Sequence, residues 1–162
     1  MGPLHIGRRA RFEGWLVRNG ADVLASCTYV ADRPWARAVG MLGTPDPTWD
    51  DALMLIPCAA VHGVGLRVRI GAAFIDSRGV VLRVVDPLPR RGARVRGAYA
   101  VVEARSGVLS EVRPGDRLQV SGGSVFPLDG NFGDQQGGAF ARLMRCPVTG
   151  GTRPRHWTWR IT

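Results

Sequence analysis

The dipeptide Asn19-Gly20 constrains this chain more than any other feature, because it demands a two-residue reversal between two β-prone runs. A type I′ turn needs positive φ at both central residues, and Asn followed by Gly meets that need at least steric cost. The flanking runs, residues 14–18 and 23–30, carry Trp15, Leu16, Val17, Val23, Tyr29 and Val30 and read as paired strands. A second reversal stands at Asp76-Ser77-Arg78-Gly79, between a longer strand over 66–75 and a return strand over 80–85. Residues 52–56, 98–103 and 117–120 read as three further short strands.

Two helices are expected among these strands. Asp32-Arg33-Pro34 predicts a helix start, with Asp32 capping free amides and Pro34 in the first turn. The helix should run to about Leu42, with Trp35, Ala38, Val39 and Leu42 on one face, and stop at Gly43. A second short helix is expected over 106–112, ended by Arg113-Pro114-Gly115-Asp116. Residues 44–51 hold two prolines and read as a loop. Residues 86–97, with Pro87, Pro89, Arg90, Arg91, Arg94 and Arg96, read as an exposed basic loop. Short strands separated by tight turns predict an antiparallel sandwich or barrel, since the long repeated crossover helices of a parallel sheet are absent.

The expected domain spans residues 12–121. Residues 122–162 form a Gly-rich basic tail, read as a linker or poorly ordered segment. The alternation in Arg155-His156-Trp157-Thr158-Trp159-Arg160-Ile161 also suits a final edge strand. Charge follows the same division. The formal charge is +9 and every one of the 22 basic residues is arginine, yet residues 12–134 are nearly neutral. The excess sits at the two ends, so polyanion binding would have to use the tails or the 90–96 loop. No apolar run reaches the roughly 18–20 residues of a membrane helix. No apolar segment follows Arg8, Arg9 and Arg11 as a secretory signal would require, so the expected location is the cytoplasm. The cysteines Cys27, Cys58 and Cys146 are odd in number, widely spaced and expected to be reduced.

Several motifs, in order, resemble the prokaryotic family catalogued as domain of unknown function 192. They are the opening hairpin Trp15-Leu16-Val17-Arg18 with Val23-Leu24-Ala25, and the helix motif Ala36-Arg37-Ala38-Val39-Gly40-Met41-Leu42-Gly43. They continue with Ile56-Pro57-Cys58-Ala59-Ala60-Val61-His62 followed by Gly65-Leu66-Arg67, with Ala73-Phe74-Ile75-Asp76-Ser77-Arg78-Gly79-Val80-Val81, and with Pro114-Gly115-Asp116-Arg117-Leu118. The resemblance covers residues 15–120 and implies a jelly-roll β-sandwich with a short helix and no assigned activity. It also implies a link to pilus or secretion systems, near whose genes such relatives are often encoded. The chain departs from the family pattern at Gly71, where a carboxylate is usual, and at Gly63 and Val64.

Three functional readings follow. The first is a non-catalytic module binding a small polar ligand or a protein partner, with His62, Arg67 and Arg37 forming a cationic pocket for a carboxylate, phosphate or sugar. In that reading Arg67 and Arg69 share a strand face; the plainer alternative pairs Arg67 with Asp76, Asp86 or Glu103. The second is a small hydrolase-like enzyme using Cys58, His62 and Arg67. A thiol and its base must approach to about 3 Å. On an extended strand residues four apart are separated by ~13 Å, so a small buried Cys and a rim His are the simpler expectation. The third is weak nucleic-acid or other polyanion binding through Arg90, Arg91, Arg94 and Arg96 and the tails, where Trp157 and Trp159 lie between Arg155 and Arg160. No cofactor is implied. Cys58, His62, His5, His156 and Cys146 are too scattered to predict a metal site.

Overall fold

The computed structural model describes residues 10–42 and 51–121. The first hairpin forms as its turn requires: Asn19 has φ 51° and Gly20 φ 75°, joining β1 (Arg11–Arg18) to β2 (Asp22–Ala31). The helix α1 (Pro34–Val39) follows, then β3 (Asp51–Leu55). The short β4 (Ala60–Val61) precedes β5 (Ile70–Ile75), which turns through Asp76 into β6 (Val81–Val85). A second short piece, β7 (Ala93–Arg94), leads to β8 (Ala100–Arg105) and, after a run of turns, β9 (Leu118–Ser121).

Seven strands build one sheet in the order β6-β5-β8-β3-β2-β1-β9, and β4 pairs with β7 in a separate ribbon. The sheet is mixed rather than purely antiparallel, because β2 and β3 run parallel and α1 lies in the connection between them. One such crossover is enough for one parallel pair. The architecture also differs from a jelly-roll sandwich of two packed sheets. Register shifts between Phe12 and Gly14, Gly14 and Leu16, and Phe74 and Ile75 bend the strands, and bulges of this kind increase local twist. The sheet therefore curls into a half-barrel whose ends touch at one corner. Val80 bridges Arg117, Val81 N donates to Asp116 O at 2.8 Å, and Leu118 N donates to Gly79 O at 2.9 Å.

The alternation of side chains sorts two apolar layers. Leu16, Val30, Met54, Ile75, Val102 and Leu118 fill the inside of the curl. The outer face of β3, β5 and β8 is covered as well. Ala36 and Met41 pack there with Leu53, Leu55 and Ile70, and Ala72, Phe74 and Val101 lie beneath Val61, Leu88 and Val95. Burial on both sides explains why β3 and β5 are apolar runs without alternation.

Several local expectations are corrected. The helix stops at Gly40 rather than Gly43, and its buried residue is Ala36 while Trp35 is 49% exposed. Its N-cap is Arg33, with no side-chain cap bond, so Asp32 does not cap it. Residues 106–111 are turns and not a helix. The strand expected over 66–75 begins only at Ile70, so Arg67 and Arg69 precede it in a loop, and the basic loop instead contains β7. Cys58 is a free thiol, whereas Cys27 is disulfide-bonded, against the expectation of reduced cysteines. No helix among the described residues is long and apolar enough to cross a membrane. The expectations for the tails, including His5, Cys146, His156, Trp157 and Trp159, lie outside the described residues.

Candidate functional site

On β8 the inner positions are Ala100, Val102 and Ala104, so Val101 and Glu103 face outward. Glu103 stands at the middle of the sheet, opposite Leu53 of β3 and Ala72 of β5. Because that outer face is covered, Glu103 is only 3% exposed. Burial disfavours its charged form and raises its pKa from 4.5 to about 7, although the Met41 N–H opposes the shift. That N–H, donating to Oε2 at 3.3 Å, is the carboxyl group's one hydrogen bond among the described residues.

The end of α1 brings this amide to the acid. Gly40 N donates to Ala36 O at 3.0 Å and closes the helix. Gly40 then takes φ 51° and ψ −133°, a region that side chains disfavour, and passes close over the carboxyl group. A Cβ on Gly40 would lie 3.1 Å from Oε2. The Arg37 guanidinium Nη1, one turn earlier on α1, donates to the Asp32 carbonyl.

The β4–β7 ribbon forms the facing wall. Ala60 pairs with Arg94 and Val61 with Ala93, Gly63 N donates to Arg90 O at 3.1 Å, and Val95 N donates to Ala59 O at 3.0 Å. The two strands approach so closely that a Cβ on Gly92 would sit 2.0 Å from Val61 O. This contact holds His62 at the rim. Between helix end and ribbon lies a cavity of about 120 Å³ whose lining includes Arg37, Gly40, Met41, Leu55, His62 and Glu103.

Two of the sequence candidates, Arg37 and His62, thus meet, and Arg67 does not join them. Arg67 is exposed in the loop before β5, outside the cavity lining. It pairs with none of the carboxylates proposed for it. Asp76 binds Arg78, Asp86 accepts from Ser106 Oγ and the Gly107 N–H, and Glu103 accepts from Met41. Glu103 had no place among the expected ligand-binding residues. Gly71, where the family usually has a carboxylate, has no room for one: a Cβ there would lie 2.7 Å from Asp86 Cγ.

Cys58 is unsuited to nucleophilic work. Its Sγ donates to Ala60 O at 3.1 Å, and no hydrogen bond among the described residues joins it to His62. Burial pushes the thiol up, so the reactive thiolate is disfavoured. Arg90, Arg91, Arg94 and Arg96 are all exposed along the ribbon and its turns. Among the described residues no group of three His, Cys, Asp or Glu side chains could hold a metal ion.

These features define a class: a small, mainly β half-barrel, buried on both sides, whose outer face carries a largely apolar cavity, lined also by Arg37 and His62, over a central carboxyl group. The chain belongs to the DUF192 family, described as an uncharacterized ACR, whose model matches residues 16–120. It is similar in structure to a protein of unknown function from Novosphingobium aromaticivorans DSM 12444, with a TM-score of 0.51 and 15% identity over 57% of this chain and 73% of the other. It is also similar to a proposed transcription regulator from Sinorhizobium meliloti 1021, with a TM-score of 0.56 and 17% identity over 70% of this chain and 92% of the other. At these identities the likeness concerns the fold alone. No curated protein matches the chain.

Proposed function

We propose that this domain is a non-catalytic binding module that takes a small polar ligand in the cavity over Glu103. The observation that carries this reading is a buried carboxyl group with a single long hydrogen bond, at the floor of a cavity that two further polar side chains, Arg37 and His62, also line. Buried polar groups in folded proteins normally find their partners in the protein or in ordered water, and Glu103 has one protein partner, the Met41 N–H, on Oε2. A ligand entering the cavity can add donors to the remaining lone pairs of this carboxyl group. The protonated, hydrogen-bonded Cys58 thiol argues against covalent catalysis at the same place.

A thermal-shift and calorimetric screen of small carboxylates, alcohols and amines tests the proposal. At least one compound should raise the unfolding temperature, and Arg37→Ala and His62→Ala should each weaken its binding tenfold or more. Cys58→Ser should leave binding intact. A compound that binds equally well to wild type and to both cavity variants would remove the cavity from consideration.

The exposed row Arg90, Arg91, Arg94 and Arg96 favours a second reading, polyanion binding along the ribbon. The proposed regulatory role of the Sinorhizobium protein makes nucleic acid the polyanion to try first. Such binding should weaken steeply between about 50 and 200 mM salt. No association with a DNA duplex at the lower salt, or an affinity unchanged in the fourfold Arg→Ser variant, would end it.

A further inference from the structure

The elements around the cavity carry an unusual charge order. The cover segments, residues 57–70 and 87–99, hold Arg67, Arg69, Arg90, Arg91, Arg94, Arg96 and His62 but not one Asp or Glu. The acid of the site, Glu103, lies underneath them on β8. None of these six arginines lines the cavity, but a surface that carries one sign of charge raises the local concentration of ions of the other sign. An anionic group is therefore drawn toward the rim, where Arg37 and His62 can meet it. The floor asks for the opposite chemistry. An ionised carboxylate only accepts hydrogen bonds, so the part of the ligand that reaches Glu103 must carry a donor.

Size sets the spacing between those two parts. A cavity of about 150 Å³ holds a benzene-sized molecule, so about 120 Å³ accommodates five or six non-hydrogen atoms. Within that size, a carboxylate and a donor fit together when they stand on neighbouring carbon atoms. On the reading that this cavity binds a small polar ligand, we propose that its ligands are small α-hydroxy or α-amino carboxylates, held with the carboxylate toward Arg37 and His62 and the hydroxyl or ammonium group on Glu103.

The test compares glycolate, glycine, acetate and ethylene glycol by calorimetry and by amide NMR shifts of Gly40 and Met41. It uses the full chain at pH 8, where Glu103 is ionised. Glycolate, glycine or both should bind with dissociation constants on the order of 0.1–1 mM, reasonable for so few atoms, and at least tenfold more tightly than acetate or ethylene glycol. The two source chemistries separate in Glu103→Gln. The amide oxygen still accepts from a hydroxyl, so glycolate should stay within about threefold, whereas glycine loses its counter-charge and should weaken tenfold or more. Glu103→Leu, which keeps the site filled and apolar, should abolish the advantage of both over acetate while the protein still unfolds cooperatively. Equal affinity of wild type for acetate, glycolate and glycine overturns the inference, as does an unchanged preference in Glu103→Leu. If ethylene glycol alone moves the Gly40 and Met41 amides, the ligand class is wrong and the binding site stands. If none of the four moves them, the inference and the binding reading fall together.

Discussion

Glu103 shows how one residue can work against its fold. Its native pKa of about 7 lies above the ordinary value of 4.5, so the native protein holds a proton that the unfolded chain has lost across that interval. Its contribution to stability is therefore fully present below pH 4.5, declines as pH rises toward 7, and levels off beyond. A shift of that size corresponds to a loss of roughly 3 kcal/mol. Glu103→Gln should flatten this part of the stability curve and leave the variant roughly 3 kcal/mol more stable than wild type at pH 8, measured by urea denaturation at several pH values. A wild-type curve with no fall between pH 5 and 7.5 would mean that Glu103 is ionised at little cost. Asp76 behaves in the opposite sense. Burial raises its pKa, but the Val80 and Arg78 amides, bound at 2.9 and 2.8 Å, and the Arg78 side chain outweigh that and hold it below the usual range. Its contribution is present above the ordinary Asp value and is lost as pH falls through the lowered one. Asp76→Ala should cost about 1–3 kcal/mol at neutral pH and remove that acid-side loss. Asp76 was legible as the start of a turn. Glu103 was not legible as a site residue, because its cover on the outer face comes from the end of α1 and from the ribbon, segments distant in sequence.

Among the elements, the hairpins follow local rules and the ribbon does not. Asn19 meets the turn's backbone demand, and its side chain also ties the turn to the start of β9. Its Oδ1 accepts from Arg117 N at 2.8 Å and its Nδ2 donates to Asp116 at 2.9 Å. The β4–β7 ribbon joins segments about thirty residues apart through two paired positions each, too short a pattern for any periodicity to reveal. Gly92 makes it possible, with φ 78° and the carbonyl of Val61 against it. Gly92→Ala should cost about 1–3 kcal/mol, displace the ribbon and lower ligand affinity at His62. The inner core should persist, because none of the ribbon contributes to it. Hydrogen exchange would show this as faster exchange at Gly63 and Val95 with unchanged protection in β3 and β8. Uniformly faster exchange across all strands would show that the ribbon belongs to the cooperative core after all.

At the scale of the molecule, stability depends on the two ends of one sheet meeting. Leu118 sits at that corner, 1% exposed, with its N–H on Gly79 O and its side chain in the inner core. Leu118→Ala should cost about 2–5 kcal/mol, seen as a lower denaturation midpoint; a cost under 1 kcal/mol would mean that the corner frays in the native state. We also propose that residues 12–121 form the folding unit, so a chain ending at Ser121 should still unfold in one cooperative transition. Local chemistry written along the chain was sufficient for the hairpin turns, for most of the strands and for the kinship carried by residues 15–120, since each depends on neighbours a few positions away. The parallel β2–β3 pair, the curl that replaced a sandwich, and the meeting of Arg37, His62 and Glu103 depend on contacts between distant segments. Those contacts are chosen by the packing of whole faces, for which no short stretch of sequence holds the information.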